Sequence, residues 1–408
     1  MDMLSRALSR LEPLEGTVDE DVLLRLHSPL AQLQARVVFR GDDGRLRIHR
    51  GFRVRFDDTR GPTKGGLRFS PHVDLDESTT LAFWMTIKTA VIGLPYGGGK
   101  GALDIDPRQL SSGELERASR AWADAFIDLV GPDRDIPAPD VGTNAEVMAW
   151  IADQWGERTG GWDPAVITGK PIALGGSEGR STATGDGATT VLAALRDRLP
   201  GEGALTIAVQ GFGGAGSRFA ARAVAAGHRV VAVSDSSGAV HDADGLDVAA
   251  VAAAKAEHGS VVDHGGGERL ELGALRGLDV DLLVPAALQD WITGDNVDEV
   301  RAGAILEIAN GPVRADADAA LREAGVVIVP DVLANAGGVT VSYLEWVQNK
   351  QRDHWTAEVV EERATGLLQR ATAAVVAEAD EGDGDLRAAA YRLAVGRIAE
   401  AAMLRGTG

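Results

Sequence analysis

Lys100 stands in a run of glycines, Leu94-Pro95-Tyr96-Gly97-Gly98-Gly99-Lys100-Gly101-Ala102, directly ahead of a short apolar segment that ends at Ile105. Glycine has no Cβ, so other atoms can approach its backbone closely. A lysine on so bare a loop fits a small anionic molecule lying against it. Two further lysines share the setting: Lys64 precedes Gly65-Gly66, and Lys88 precedes the apolar residues 89–94. A single lysine on a glycine turn is ordinarily a solvated one; here the rest of the chain adds weight. A second cluster, Gly211-Phe212-Gly213-Gly214-Ala215-Gly216, has the spacing of a pyrophosphate-binding turn.

The context of that turn is the required one. A buried strand over 205–210 precedes it, a helix over 217–226 opens from it, and a second strand over 229–234 closes on Asp235. Gly211 makes the turn, Gly213 lets the backbone approach the pyrophosphate, and Gly216 lets helix and strand pack closely. The free N–H groups and dipole at the helix N-terminus favour the anion. Asp235 is placed to accept from ribose hydroxyls, which favours NAD and repels a 2′-phosphate. Ser236 and Ser237 could donate to such a phosphate, and no Arg or Lys follows closely. NAD is the favoured cofactor, with NADP open.

At 408 residues the chain has room for two domains with sizeable cores. Its formal net charge of −19 argues against a nucleic-acid partner and against anionic membrane surfaces. It has no cysteine, which excludes disulfides, thiol catalysis and cysteine-ligated metals. The eight histidines show no metal-ligand spacing, so no metal is expected. No signal-type segment and no membrane-length apolar run is present, and a cytoplasmic protein is expected.

Several elements must position these residues. The pattern predicts a helix over 19–39, a half-buried strand over 48–56, and a helix over 76–92 whose Thr80, Trp84, Ile87 and Val91 share one side. Lys88, one turn beyond Trp84, emerges beside that stripe. A helix over 114–130 follows. Two prolines hold residues 135–144 extended ahead of a helix over 145–154, which Thr143 or Asn144 caps. The glycine-rich residues 168–187 form a connection between domains or a loop under a ligand. A helix over 188–199 comes next. Further strands at 282–284, 304–308 and 326–329, with helices between, imply a parallel sheet covered on both faces. The tail over 345–403 reads as helical, broken near Gly382-Asp383-Gly384.

These motifs together resemble the glutamate/leucine/phenylalanine/valine dehydrogenase family, and within it the glutamate dehydrogenases, over nearly the whole chain. The carriers are Lys64-Gly65-Gly66-Leu67-Arg68-Phe69, read as a substrate-binding turn, and the glycine-lysine stretch 94–101. Pro137-Ala138-Pro139-Asp140, the segment around Gly175-Gly176-Ser177, Arg180 and Gly185, and the late motif Ala334 to Val339 with Ser342 to Trp346 complete the set. The resemblance implies a two-domain α/β fold. Residues 1–180, completed by the helices of 345–408, form a substrate-binding and oligomerisation domain. Residues 181–344 form a Rossmann-type, doubly wound cofactor domain facing it across a cleft that closes by a hinge.

The resemblance also implies roles. Lys100 is the catalytic lysine and Asp140 exchanges protons with the amino group. Lys88 binds the substrate α-carboxylate, and Lys64 and Ser342 bind the side-chain carboxylate. Ala138 lies in the substrate loop. Thr184 and Asn335 lie against the nicotinamide end, and Asn310 lines the cofactor cleft. Gly214 stands where many relatives carry asparagine. Met85 stands where some carry a glutamine that helps hold the α-carboxylate. The implied reaction is NAD(P)-dependent interconversion of L-glutamate with 2-oxoglutarate and ammonia, in a homohexamer. Clustered, poorly solvated lysines would depress one another's pKa and make Lys100 a general base. A leucine-, phenylalanine- or valine-type dehydrogenase is the neighbouring alternative, against which Lys64 with Ser342 argues: an aliphatic side chain would not tolerate a buried, unpaired cation. A non-catalytic cofactor-binding subunit is the third reading, against which the joint presence of Lys88, Lys100 and Asp140 argues.

Overall fold

The glycine stretch expected as a loop is a buried strand, Gly97–Leu103, in the computed structural model, which describes residues 3–16 and 18–406. Glycine-rich strands are normally weak, but they mark places where another backbone comes close. A Cβ on Gly97 would stand 1.7 Å from the Asp57 carbonyl oxygen, and one on Gly65 would stand 1.5 Å from that of Gly99. No residue other than glycine fits there.

The chain divides into two compact units. One comprises Met1–Arg180, Val339–Arg363 and Tyr391–Gly408; the other comprises Ser181–Gly338 and Ala364–Ala390. The first runs α1 (Met3–Leu8), α2 (Glu20–Leu26), β1 (Ala31–Arg40), β2 (Leu46–Asp57), β3 (Thr63–Phe69), α3 (Leu75–Ile92), β4 (Gly97–Leu103), α4 (Ser112–Ala125), β5 (Asp135–Pro139) and α5 (Ala145–Thr159). Its sheet has the order β1-β2-β4-β3-β5. β3 lies parallel to β4 and β5, while β1–β2 and β2–β4 are antiparallel.

Four expectations are corrected here. The helix predicted over 19–39 ends at Leu26, and residues 31–40 are a strand. Pro29 biases the residue before it toward extended backbone, and beyond it Val37 and Phe39 are buried while Val38 and Arg40 are exposed. The Lys64–Phe69 segment is a strand rather than a turn, and residues 135–139 are a strand rather than a loop. The helix predicted to reach 130 stops at Ala125. Asn144 is the cap of α5, accepting from Val147 N, while Thr143 Oγ1 donates to the Leu67 carbonyl at 2.8 Å.

One face of this sheet packs a core that includes Leu67, Phe69, Leu103, Trp122 and Phe126. On the same face lies an ion pair with no solvent exposure on either side chain, Arg53 with Asp135. Arg53 Nε and Nη2 donate to the two carboxylate oxygens at 2.7 and 2.6 Å, and Thr63 Oγ1 adds a third bond at 2.6 Å. Arg53 faces Gly101 in register, and a Cβ there would lie 3.1 Å from Nη1.

The second unit runs α6 (Ala183–Ala194), β6 (Thr206–Gln210), α7 (Gly214–Ala225), β7 (Arg229–Asp235), β8 (Gly238–His241), α8 (Val248–His258), β9 (Glu268–Leu270), β10 (Leu282–Pro285), β11 (Ala304–Leu306), α9 (Ala315–Glu323), β12 (Val327–Val329) and α10 (Asp331–Ala334). Its sheet order is β12-β11-β10-β6-β7-β8-β9. The strands from β12 to β7 are parallel; β8 and β9, which the sequence pattern did not indicate, extend the sheet antiparallel beyond β7. α6 starts earlier than expected, with Gly185 and Gly187 inside it.

The tail forms α11 (Gly337–Gln351), α12 (Ala357–Asp380) and α13 (Leu386–Leu404). The expected break near 382–384 is present, and a second falls at 352–356, where Arg352 takes a positive φ of 56°. Expected to complete the first unit alone, the tail is shared, with residues 364–390 packing in the second. Among the described residues no helix is long and apolar enough to cross a membrane, and no group of three His, Cys, Asp or Glu could hold a metal ion.

Removing one partner of a buried ion pair strands the other charge. Arg53→Met should therefore lower stability by about 3–5 kcal/mol. The double variant Arg53→Met/Asp135→Leu should recover most of that loss. Denaturant unfolding of the three proteins measures both.

Candidate active site

Strand register gathers the candidate residues on the face opposite Arg53. Lys64 pairs with Gly98 of β4 and with Ile136 of β5, and Gly66 pairs with Ala138. Side chains alternate along a strand, so Lys64, Gly66 and Arg68 share a face with Gly98, Lys100, Ile136 and Ala138. Asp140, just past the end of β5, joins them: a Cβ on Gly66 would stand 2.6 Å from Asp140 Oδ2. Gly66 is the space that the carboxylate occupies. α3 covers the same face, since a Cβ on Gly98 would stand 2.2 Å from Thr86 Oγ1 and 2.3 Å from the Ala82 carbonyl oxygen. Lys88, two residues beyond Thr86, is buried, and Met85, three before Lys88, is half-buried.

Asp140 is held by two cations. Lys100 Nζ donates to Oδ2, and Arg68 Nε donates to Oδ1 at 3.0 Å, with Val141 N on Oδ1 at 2.7 Å. Arg68 also donates to Glu77 Oε1 at 2.5 Å. Burial works against ionising Asp140, yet the Lys100 and Arg68 charges and these hydrogen bonds hold its carboxyl well below the usual carboxylate range. Burial lowers the pKa of Lys100; Asp140 pulls it back up and Arg68 pushes it down. The result is a lysine that gives up its proton more readily than a solvated one, joined by a hydrogen bond to a carboxylate that stays ionised.

Lys64 is buried, with Nζ 3.4 Å from the Pro137 carbonyl oxygen. Its pKa lies well below the ordinary lysine value, first through burial and then through Arg180 and Arg53; Glu345 and Asp135 oppose the shift. The depressing neighbours of Lys64 and Lys100 are thus arginines, where the sequence had pointed to other lysines. Arg180 Nε donates to Ser342 Oγ at 3.2 Å. Ser342 is buried within α11, more than one turn past its start and about one turn before the buried Glu345. Glu345 itself is occupied, accepting from Gly169 N at 2.8 Å and Lys170 Nζ at 2.7 Å.

Two residues outside the expected set thus stand in contact with it. Arg68 was legible: it alternates with Lys64 and Gly66 on one strand face. Arg180 stands in a glycine-rich connection, and nothing in its neighbours' types links it to Ser342.

In the second unit the glycine turn divides its labour. Gly211 has φ +96°, and a Cβ there would stand 2.4 Å from that of Ala287; one on Gly216 would stand 1.9 Å from the Gly211 carbonyl oxygen. Those two shape the turn. A Cβ on Gly213 or Gly214 would meet nothing within 4 Å. That bare surface leads into α7, whose N-cap Gly213 offers no side-chain bond to the first turn. The residues present fit a dinucleotide pyrophosphate.

The other expected cofactor residues lie in the same unit. A Cβ on Gly185 would stand 2.8 Å from the Ala215 carbonyl oxygen, which sets the first turn of α6, with Thr184, beside the glycine turn. Asn335 Nδ2 donates to the carbonyls of Ile308 and Ala309 and to Asn310 Oδ1 at 3.0–3.2 Å, while its own Oδ1 is buried with no hydrogen-bond partner among the described residues. Behind this loop, Arg387 donates to both oxygens of Glu307 at 2.8 and 2.9 Å. Glu307 accepts from Asp331 N, and Asp331 accepts from Gly311 N at 2.8 Å.

Two family models match the chain: "Glutamate/Leucine/Phenylalanine/Valine dehydrogenase" over residues 175–406, and "Glu/Leu/Phe/Val dehydrogenase, dimerisation domain" over residues 29–157. The NADP-specific glutamate dehydrogenase of Synechocystis sp. is 44% identical over 402 residues, covering 96% of this chain and 94% of its own. The NAD-specific glutamate dehydrogenase of Staphylococcus aureus is 44% identical over 390 residues, covering 95% and 94%. The hetero-hexameric glutamate dehydrogenase of Thermus thermophilus, solved in a leucine-bound form, is similar in structure with a TM-score of 0.91. It is 41% identical to this chain and covers 98% of it and 95% of its own chain.

A lysine whose pKa is lowered on folding destabilises the fold while protonated, fully below its folded pKa. The penalty fades as pH rises toward about 10.4, the unfolded value. Lys64→Met should therefore raise the melting midpoint by about 2–4 °C near neutral pH, with the gain shrinking at alkaline pH. Thermal melts of both proteins from pH 6 to 10.5 check the sign.

Proposed function

We propose that this chain, which belongs to the glutamate/leucine/phenylalanine/valine dehydrogenase family, catalyses the reversible NAD(P)-dependent oxidative deamination of L-glutamate to 2-oxoglutarate and ammonia. The observation that carries the choice of substrate is the pairing of buried Lys64 with Arg180 and Ser342. Two cations and a hydroxyl suit a second carboxylate; an aliphatic substrate side chain would leave them buried and uncompensated.

Lys88, on the helix that covers the same face, takes the α-carboxylate, with Met85 and Ala138 lining the pocket. The bound cofactor, when present, supplies the hydride acceptor. Thr184 and the vacant acceptor on Asn335 are matched to its carboxamide end, and Gly211, Gly213, Gly214 and Gly216 to its pyrophosphate. Asn310 is fixed beside Asn335. Loss of hydride leaves an iminium at the α-carbon, which water attacks. Lys100, with its lowered pKa, takes the proton from that water. Asp140 is too acidic to keep a proton, so it relays one between Lys100 and the departing amine.

The subunits are proposed to assemble as a homohexamer. In support, the β1–β2 hairpin exposes Leu33, Val38, Leu46 and Ile48, and Val38 lies opposite Ile48 in register. Light scattering on the purified chain reads the assembly.

Initial rates on glutamate, leucine, phenylalanine and valine with each cofactor test the substrate assignment. Glutamate should lead by orders of magnitude, and a leucine preference would overturn it. Asp140→Asn should lower kcat by about 10²–10⁴-fold. Because the carboxylate helps keep the proton on Lys100, the acid limb of the residual pH–rate profile should move to lower pH.

A further inference from the structure

Read along the sequence, Asp235 is a ribose-binding carboxylate with no cation following it closely; read in space, it is an ion-paired residue. It ends β7, the strand next to β6 and its glycine turn. Its Oδ1 accepts from Ser237 N at 2.9 Å and from Ser260 Oγ at 3.0 Å. Its Oδ2 accepts from Val261 N at 2.8 Å and lies 3.1 Å from Lys255 Nζ. A carboxylate has about four lone-pair directions, and four donors surround this one. A ribose hydroxyl would have to displace one of them. The side chain is also only 6% exposed.

Lys255 comes from the last turn of α8. Its side chain is 28% exposed, against 6% for that of Asp235. Of its three N–H donors, the ion pair directs one at Asp235. Ser236 and Ser237 are exposed at the turn between β7 and β8, next to the same carboxylate. The Asp235 charge that would repel a phosphate is thus neutralised by a neighbour that can also bind one.

Resting on the reading that the glycine turn holds a dinucleotide, we propose that Lys255 is the 2′-phosphate contact of this chain. Asp235 is then its positioning partner rather than a ribose acceptor, and NADP binds more tightly than NAD. The alternative, a lysine that only braces the loop, predicts equal effects on both dinucleotides.

Calorimetric titration of the full-length protein with NADP⁺, NAD⁺ and 2′,5′-ADP tests this without turnover. The wild type should bind NADP⁺ more tightly than NAD⁺, and 2′,5′-ADP should bind measurably. Lys255→Ala should weaken NADP⁺ and 2′,5′-ADP by about tenfold or more, the range of a charged hydrogen bond, and leave NAD⁺ within about threefold. Lys255→Arg, which keeps the charge, should retain most of the NADP⁺ affinity. Unchanged NADP⁺ binding in Lys255→Ala, or equal losses for both dinucleotides, would overturn the assignment. A wild type that binds NAD⁺ more tightly than NADP⁺ would overturn it while leaving the dinucleotide site standing. A wild type that binds neither would overturn the dinucleotide reading and this proposal with it.

Discussion

Buried charge can be gathered on one face of a sheet only if something clears that face, and here glycine does so. Gly65 and Gly97 let neighbouring backbones approach more closely than any Cβ would allow, Gly98 admits α3, and Gly66 leaves the volume that Asp140 fills. The usual cost of glycine in a strand, lost side-chain packing and extra conformational entropy, is accepted at the centre of the sheet. Lys64, Lys100 and Asp140 depend on that clearance.

The same sheet is charged on both sides, with different consequences. Behind it, Arg53 and Asp135 share two hydrogen bonds, Thr63 adds a third to the carboxylate, and the Gly65 carbonyl accepts from Arg53 Nη1. In front, the charges are satisfied only in part. Lys64 has one long contact to a carbonyl, while Asp140 shares its oxygens between two cations. A fully satisfied pair fixes geometry; an excess of positive charge around Lys64 and Arg180 is what an anionic guest can neutralise. Glu345 offsets only part of that excess, because Lys170 and two main-chain N–H groups already hold it.

The second unit shows the same division. Arg387, Glu307 and Asp331 form a buried chain of bonds that ends at Gly311 N. Asn335 ties the adjoining loop through its amide nitrogen and keeps its oxygen unused. Glu307 and Asp331 thus spend their oxygens on fixing the loop, while Asn335 holds a buried acceptor in reserve.

Much of this was legible in residue types and local spacing. The glycine-lysine motifs, the turn at 211–216 between strand and helix, the prolines before Asp140 and the parallel alternation of the second unit all depend on neighbours within a few positions, where sterics and periodicity act directly. Tertiary structure decided the rest. It turned the glycine stretch into a strand, because a backbone distant in sequence comes to lie against it. It brought Arg180 to Ser342 and Lys255 to Asp235, pairs that local pattern does not connect. It also set the proton affinities of Lys64 and Lys100, through burial and through arginines supplied by other elements. Charge interacts through space, so a chain read in order shows which groups can titrate, and the fold alone determines which charges they face.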